Sequence, residues 1–366
     1  MSLKIALMPG DGIGPEVTDE AVRILTNVAE HAGRSFTFST HAIGGAAIDT
    51  AGRGLPERTL EAALNADAVL LGAVGHPKFD GQKTAERPEA ALLALRQALG
   101  GFANLRPAVC YPPLARRTAF QPERVKGASV LIVRELLGGL YFGEPRGFEA
   151  SGNTAFNTLI YSRHEIERVA KVGFERARER RKKVASIDKA NVLETSRLWR
   201  AVVSDVAKGY PDVELEHVYV DTAAMRLATA PASFDVMLCD NLFGDILSDQ
   251  AASIAGSLGL LPSATVGGKV DLYEPVHGSA PDIAGKGLAN PIGAIASAAM
   301  LLRFSARMDK EAGDIDHAIE DALAAGARTR DLAGPGERVL STREMGQAIE
   351  EALNEVRDRK HCYHGV

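Results

Sequence analysis

Residues 4–15 read Lys4-Ile5-Ala6-Leu7-Met8-Pro9-Gly10-Asp11-Gly12-Ile13-Gly14-Pro15, and the fold turns on how they are parsed. Lys4 to Met8 is a short apolar run of strand type. A glycine turn follows, and Pro15 suits the first turn of a helix. Val17, Ala21, Val22, Ile24, Leu25 and Val28 then recur at helical spacing to about His31. Strand, turn and helix in that order open an α/β unit. The glycines do not have dinucleotide-fingerprint spacing, because the position three after Gly12 is Pro15. The turn therefore supports a parallel α/β sheet and argues against a Rossmann site.

Outward from this turn the alternation continues. Phe36 to His41 reads as a strand, Pro56 to Leu64 as a helix, and Ala68 to Leu71 as a buried strand ending at Gly72. A second region begins near Phe102. It is β-rich in its middle, with Ser129 to Arg134 as a strand. The glycine pairs of Gly138-Gly139-Leu140-Tyr141-Phe142-Gly143 suggest a tight hairpin. A helix from about Ser162 to Arg181 ends in a basic run, and cations suit a C-terminal turn. Val184 to Ile187, Leu215 to Val220 and Val236 to Leu238 read as further strands. No repeat or low-complexity tract interrupts them. The tail from Lys360 to His364 reads as a frayed end.

Composition narrows the class. The 366 residues suffice for two domains, and 46% hydrophobic with 24% charged residues argues against global disorder. A formal net charge of −5 is not the footprint of a nucleic-acid binder. Cys110, Cys239 and Cys362 form no CxxC pair, which argues against a zinc or disulfide framework and for a reducing compartment. The N-terminal apolar run is too short for a signal peptide. The most apolar later stretch, Pro291 to Leu302, falls short of the roughly 18 residues of a membrane span. A cytoplasmic protein is expected.

Four groups of residues have the chemistry of a site. In Phe243-Gly244-Asp245-Ile246-Leu247-Ser248-Asp249, two carboxylates four apart share one face of a helix. Like charges there repel by a few tenths of a kcal/mol, a cost that a hard divalent cation removes. Asp221, after Val218-Tyr219-Val220, is a candidate third ligand. The alternative is that Asp245 caps the helix and Asp249 is merely exposed. Lys189, between a strand and a helix, is either a proton acceptor or a surface partner of Asp188. Tyr141, among glycines, is either functional or a packing aromatic. Arg96, Arg106 and Arg134 lie near element ends, and three guanidinium groups suit a di-acid. Arg96 shares a helical face with Glu89, Leu92 and Leu93, either a pocket for an aliphatic acid or an ordinary packing face. Finally, Glu274-Pro275-Val276-His277-Gly278-Ser279-Ala280-Pro281-Asp282-Ile283-Ala284-Gly285 is a rigid polar loop suited to a nucleotide, Asp282 accepting from ribose hydroxyls, or a structural surface loop.

Together these segments resemble the β-decarboxylating dehydrogenases, the isocitrate/isopropylmalate dehydrogenase family. The resemblance runs nearly end to end. It is carried by GDGIGPEV (10–17), NLRP (104–107), VREL (133–136) with GGLYFGEPRG (138–147), DKANVLE (188–194), FGDILSD (243–249) and EPVHGSAPDIAGKGLANP (274–291), in the family's order.

It implies an α/β fold of two domains with a mixed sheet, not a Rossmann fold. One domain is discontinuous, 1–101 plus 256–366, and would bind the cofactor. The other, 102–255, would carry dimerisation, substrate and metal. The resemblance assigns Arg96, Arg106 and Arg134 to the malate carboxylates, Tyr141 and Lys189 to acid–base work, and Asp221, Asp245 and Asp249 to Mg²⁺ or Mn²⁺. Asp221 would also border the substrate. Glu89, Leu92, Leu93 and Val192 would line the side-chain pocket. Ile13, Glu274, His277, Gly278, Ser279, Ala280, Asp282, Ile283 and Asn290 would hold NAD. The carboxylate of Asp282, where NADP-using relatives carry lysine, would repel a 2′-phosphate. Lys189 and Asp221 would enter from the neighbouring subunit, so a homodimer with shared sites is implied.

The activity implied is NAD- and metal-dependent oxidative decarboxylation of 3-isopropylmalate in leucine biosynthesis. The alternative is the same chemistry on D-malate, tartrate or homoisocitrate. Leu137 departs from the threonine common in the isopropylmalate branch. A Mg²⁺-dependent phosphotransferase would need a P-loop lysine that the first glycine turn lacks, and a dinucleotide sensor would bind NAD without reducing it.

Overall fold

The computed structural model describes residues 2–83 and 86–363. Its strands are β1 (Ser2–Gly10), β2 (Ser35–Thr40), β3 (Ala68–Ala73), β4 (Ala103–Val109), β5 (Ser129–Glu135), β6 (Gly147–Phe148), β7 (Ala155–Phe156), β8 (Lys183–Asp188), β9 (Glu214–Tyr219), β10 (Val236–Cys239), β11 (Pro262–Val266) and β12 (Asp271–Pro275). The chain divides into two compact units. The first comprises Met1–Gly101, Tyr111–Thr118 and Ala255–Val366; the second comprises Phe102–Cys110 and Ala119–Ile254. Tyr111–Thr118 belongs to the first unit through buried Leu114 and the ion pair of Arg117 with Glu337.

In the first unit the strand order is β2-β1-β3-β12-β11. Neighbours are parallel except the β11–β12 pair, which is antiparallel, so the sheet is mixed. Every residue of β3 is buried, the continuous apolar run expected of a parallel strand covered on both faces. Ala6, Met8, Val69, Leu71 and Leu272 form a core with Leu95 and Leu99 of the helix Pro88–Leu99. The helix Ile292–Phe304 is buried from Ile292 through Leu302. That accounts for the most apolar stretch of the sequence as a central helix, apolar on all sides. Among the described residues no helix is long and apolar enough to cross a membrane.

The first glycine turn serves close backbone packing. Gly12 has φ +59, and a Cβ there would lie 1.9 Å from the Ser279 carbonyl oxygen. Ile13 N–H donates to that same oxygen at 2.8 Å. Asp11 is buried beneath the turn, and its carboxylate accepts from the N–H groups of Gly45 (2.9 Å), Ala46 (2.7 Å) and Gly75 (2.8 Å). Glycine is required here because a side chain would push the two loops apart.

In the second unit the order is β4-β5-β10-β8-β9, antiparallel between β4 and β5 and parallel beyond. The hairpin expected at Gly138–Gly143 is not one. Gly139–Tyr141 forms a single 3₁₀ turn. The carboxylate of Glu135 takes up the N–H groups of Leu137 (3.0 Å) and Gly138 (2.9 Å), so no strand leaves β5 to pair back. The hairpin of this region is β6–β7, with Phe148 75% exposed. The basic helix spans Arg163–Arg178 and opens with a capping box between Ser162 and Glu165. It stops short of Arg181 because Asp235 accepts from Arg180 Nε at 2.8 Å and from the Arg181 N–H at 2.9 Å. At the other end of the chain, the helix Thr342–Tyr363 continues through the segment expected to fray. His364 lies outside the described residues.

Candidate active site

In the second unit the chemistry gathers where β5 and β10 end, with Arg106 reaching in from β4, while Lys189 and Asp221, after β8 and in the helix following β9, form a separate pair. The helix Asn241–Ala255 starts directly after β10 and presents Asp245 and Asp249 one turn apart. Asp245 is the hub. Its Oδ2 accepts from the Tyr141 hydroxyl at 2.7 Å. Its Oδ1 accepts from Arg134 Nη1, and Arg106 Nη1 lies 3.4 Å away. Arg106 also donates to Ser248 Oγ (2.7 Å) and, through Nε, to Asn104 Oδ1 (2.7 Å), and it lies 3.9 Å from Asp249. The Arg134 guanidinium stands 5.5 Å over the Tyr141 ring. Two fixed guanidinium groups, a phenol and a carboxylate thus converge, an arrangement able to bind a di-acid and hand it a proton.

The electrostatics follow from the contacts. Burial, and then the Asp245 carboxylate, push the Tyr141 phenol up to about 12, so it is a proton donor at neutral pH. Burial raises the Asp249 carboxyl, and neighbouring Asp245 adds to this while Arg106 and Arg134 oppose it. Two adjacent hard oxygen donors of like charge, one of them strained by its neighbour, suit a divalent cation.

Asp221 does not join them within one chain. Among the described residues no three acidic, His or Cys side chains are grouped to hold a metal. Asp221 lies in the first turn of the helix Val220–Thr229, and its Oδ1 accepts from Lys189 Nζ at 2.7 Å. Lys189 therefore pairs with Asp221 and not with its neighbour Asp188. Asp188 is buried and taken by Arg200, whose Nε and Nη2 donate to it at 2.9 and 3.0 Å. Val192, after Lys189, is 64% exposed.

The first unit holds the remaining candidates. Arg96, in the last turn of the helix Pro88–Leu99, is buried and donates to Glu274 Oε1 at 2.6 Å. On the same helix Leu92 and Leu93 are half-buried and Glu89 is exposed. Beyond Glu274 the chain frames a cavity of about 400 Å³ lined by Ile13, His277, Ile283, Leu288, Asn290 and Asp331. His277 Nδ1 faces the Gly278 carbonyl oxygen at 2.9 Å. Its Nε2 is buried without a partner, and burial lowers its pKa, so a neutral ring faces an apolar cavity. An aromatic base with a polar edge fits such a place. Asn290 is fixed by donating to Asp331 Oδ2 at 3.0 Å and accepting from Ile292 N–H at 3.0 Å. Ser279 is buried, Ala280 has φ +38, and Gly278 and Asp282 are exposed.

Supporting residues were not singled out by sequence reasoning. Glu16 binds the N–H groups of Gly285 (2.5 Å) and Gly287 (3.0 Å) and so holds the far side of that loop. Asn241 and Glu135 hold the Tyr141 turn. The available signal was a polar pair, Asp240-Asn241, set directly after the apolar run Val236–Cys239.

A family model described as isocitrate/isopropylmalate dehydrogenase matches residues 4–349. A 3-isopropylmalate dehydrogenase of Moorella thermoacetica is 53% identical over 354 residues, 96% of this chain and 99% of that protein. One of Geobacillus kaustophilus is 54% identical over 353 residues, 96% and 95% of the two chains. Among solved structures, an isocitrate dehydrogenase from Methylococcus capsulatus superposes with TM-score 0.86 at 36% identity, covering 96% of this chain and 99% of that one. A β-decarboxylating dehydrogenase from Thermococcus kodakarensis gives TM-score 0.79 at 36% identity, covering 96% of both.

Proposed function

We infer the function from one premise: the chain belongs to the isocitrate/isopropylmalate dehydrogenase family. It is an oxidoreductase that converts 3-isopropylmalate to 4-methyl-2-oxopentanoate and CO₂, the oxidative decarboxylation of leucine biosynthesis. The dinucleotide is NAD and the metal Mg²⁺ or Mn²⁺. The observation that carries the reading is the convergence of Tyr141, Arg106 and Arg134 on Asp245.

Arg96, Arg106 and Arg134 bind the two carboxylates of the substrate. Leu92, Leu93 and Val192 receive its branched chain, with Glu89 at the margin. Asp245 and Asp249 hold the cation together with Asp221 of the partner subunit, in a homodimer with shared sites. The first unit is the cofactor domain. His277, Ile283 and Ile13 enclose the adenine, Asp282 accepts from the ribose hydroxyls, and Glu274, Gly278, Ser279, Ala280 and Asn290 complete the cradle. The Asp282 carboxylate disfavours a 2′-phosphate.

NAD, held by the first unit, would supply the hydride acceptor, and a divalent cation held by Asp245 and Asp249 would supply Lewis-acid polarisation. The partner's Lys189, together with the Asp221 carboxylate it is paired with, takes the hydroxyl proton while the C–H pair leaves as hydride. Loss of CO₂ leaves the electron pair on the neighbouring carbon as an enolate. Tyr141 donates its phenolic proton to that carbon and is reprotonated from solvent. The arginines hold the carboxylates so that the breaking bond stays aligned.

Absorbance at the NADH band tests this. With isopropylmalate, NAD and Mg²⁺, NADH forms, and a chelator stops it. Faster turnover of D-malate, tartrate or homoisocitrate would contradict the substrate; turnover unaffected by chelator would contradict the metal.

A further inference from the structure

Asn241 is wholly buried and uses every hydrogen-bonding position of its side chain. Its Oδ1 accepts from Arg134 Nε at 3.1 Å and Nη2 at 2.7 Å. Its Nδ2 donates to the carbonyl oxygens of Leu136 (3.1 Å) and Gly138 (3.0 Å). Of the three other N–H groups of Arg134, one on Nη1 goes to Asp245. One amide thus fixes the orientation of a guanidinium and the path of the turn that leads to Tyr141.

The surroundings leave that turn little freedom. Glu135, also buried, takes the N–H groups of Leu137 and Gly138. The Tyr161 hydroxyl accepts the Asn241 N–H at 2.9 Å. The same Tyr161 ring lies under Gly138 and Gly139, where a Cβ would meet it at 2.7 and 2.8 Å. The turn is held from below by an aromatic plate and from the sides by an amide and a carboxylate.

We propose that Asn241 is a positioning residue that locks Arg134 and the Tyr141 turn into one rigid piece, so that the group binding the substrate carboxylate and the group delivering the proton are set together. The proposal rests on the assignment of Arg134 and Tyr141 above. An amide is required because the site needs two acceptances and two donations from one planar group. Aspartate keeps the first and loses the second, and its oxygen would face two carbonyl oxygens. Substrate binding and proton delivery are therefore separable by substitution.

The test uses the full-length protein with NAD and Mg²⁺ and two readouts. In Asn241→Asp, hydrogen exchange in the peptide 136–143 speeds up, kcat falls about 10- to 100-fold, and KM for isopropylmalate stays within about threefold. In Asn241→Ala, KM rises about tenfold or more as well, because Arg134 also loses its acceptor. Wild-type kcat in folded Asn241→Asp, or an identical KM in the two variants, overturns the proposal. Where Asn241→Asp does not fold, Glu135→Gln carries the test: a lower kcat at unchanged KM supports the lock, and unchanged kcat overturns it. If the wild-type chain leaves isopropylmalate untouched while exchange still rises in Asn241→Asp, the reaction fails and the lock stands. If the wild type turns over and exchange is unchanged, the lock fails and the reaction stands.

Discussion

Tyr141 gains its character from what surrounds one oxygen. The phenol is part-buried and donates to a carboxylate, and both effects oppose loss of its proton. Raised to about 12, it stays protonated as pH climbs from 7 to 10, so activity does not decline over that range on its account. A group in that state is fitted to give a proton to a forming carbanion and ill-suited to take one. Replacing Tyr141 by Phe removes the donor and leaves the arginines. Formation of 4-methyl-2-oxopentanoate then slows by about two orders of magnitude or more, the usual worth of a positioned acid. First-turnover NADH formation stays near its normal rate. Stopped-flow absorbance and quenched-flow product analysis separate the two steps, and a variant with ordinary keto-acid production sinks the assignment. Little of this was legible in sequence. Tyr141 and Asp245 lie 104 positions apart, and nothing local to the glycine-flanked tyrosine says that it meets a carboxylate.

Elements were more legible than contacts. Periodicity alone placed β1, the helix after it, β3 and β10, because a strand buried on both faces and an amphipathic helix each imprint their period on the chain. It failed where long-range hydrogen bonds decide. The glycines of Gly138–Gly143 suit any tight turn, and it takes the distant Asn241 amide, together with the nearby Glu135 carboxylate, to make theirs a 3₁₀ turn. The end of the basic helix is set by Asp235, more than fifty positions away. The family resemblance supplied the site residues, but Asp11, Glu16 and Asn241 do their work through backbone groups that no motif displays. The helix Gly14–His31 illustrates this. Glu16, in its first turn, binds two amides of the loop after Asp282. Glu16→Gln weakens these charge-assisted bonds without deleting them, so KM for NAD rises roughly three- to tenfold with kcat little changed. Initial rates at varied NAD check this, and an unaltered KM for NAD at saturating isopropylmalate means the loop does not depend on Glu16.

The whole molecule raises the question of where the third carboxylate comes from. Within a chain, Lys189 and Asp221 hold each other, while Asp245 and Asp249 stand with the arginines. The second unit also exposes apolar side chains that a monomer has little reason to show: Met225 and Ile246 are each 57% exposed, on helices joined by Gln250 Nε2 donating to the Ala224 carbonyl oxygen at 2.7 Å. The proposed two-fold dimer would bury such a surface and let each chain lend its Lys189 and Asp221 to the other. Subunit mixing tests this directly. Lys189→Ala and Tyr141→Phe homodimers each form keto acid only at a small residual steady-state rate, because both of their sites lack one group. In a mixed dimer, one site combines an intact Tyr141 with an intact Lys189 of the partner subunit, and the other site lacks both. Co-refolding the two variants in equal amounts makes half the dimers mixed, each with one working site, so about a quarter of wild-type activity returns. If Lys189 served its own chain, every site in every combination would lack one group, and the mixture would stay at the residual rate of its components.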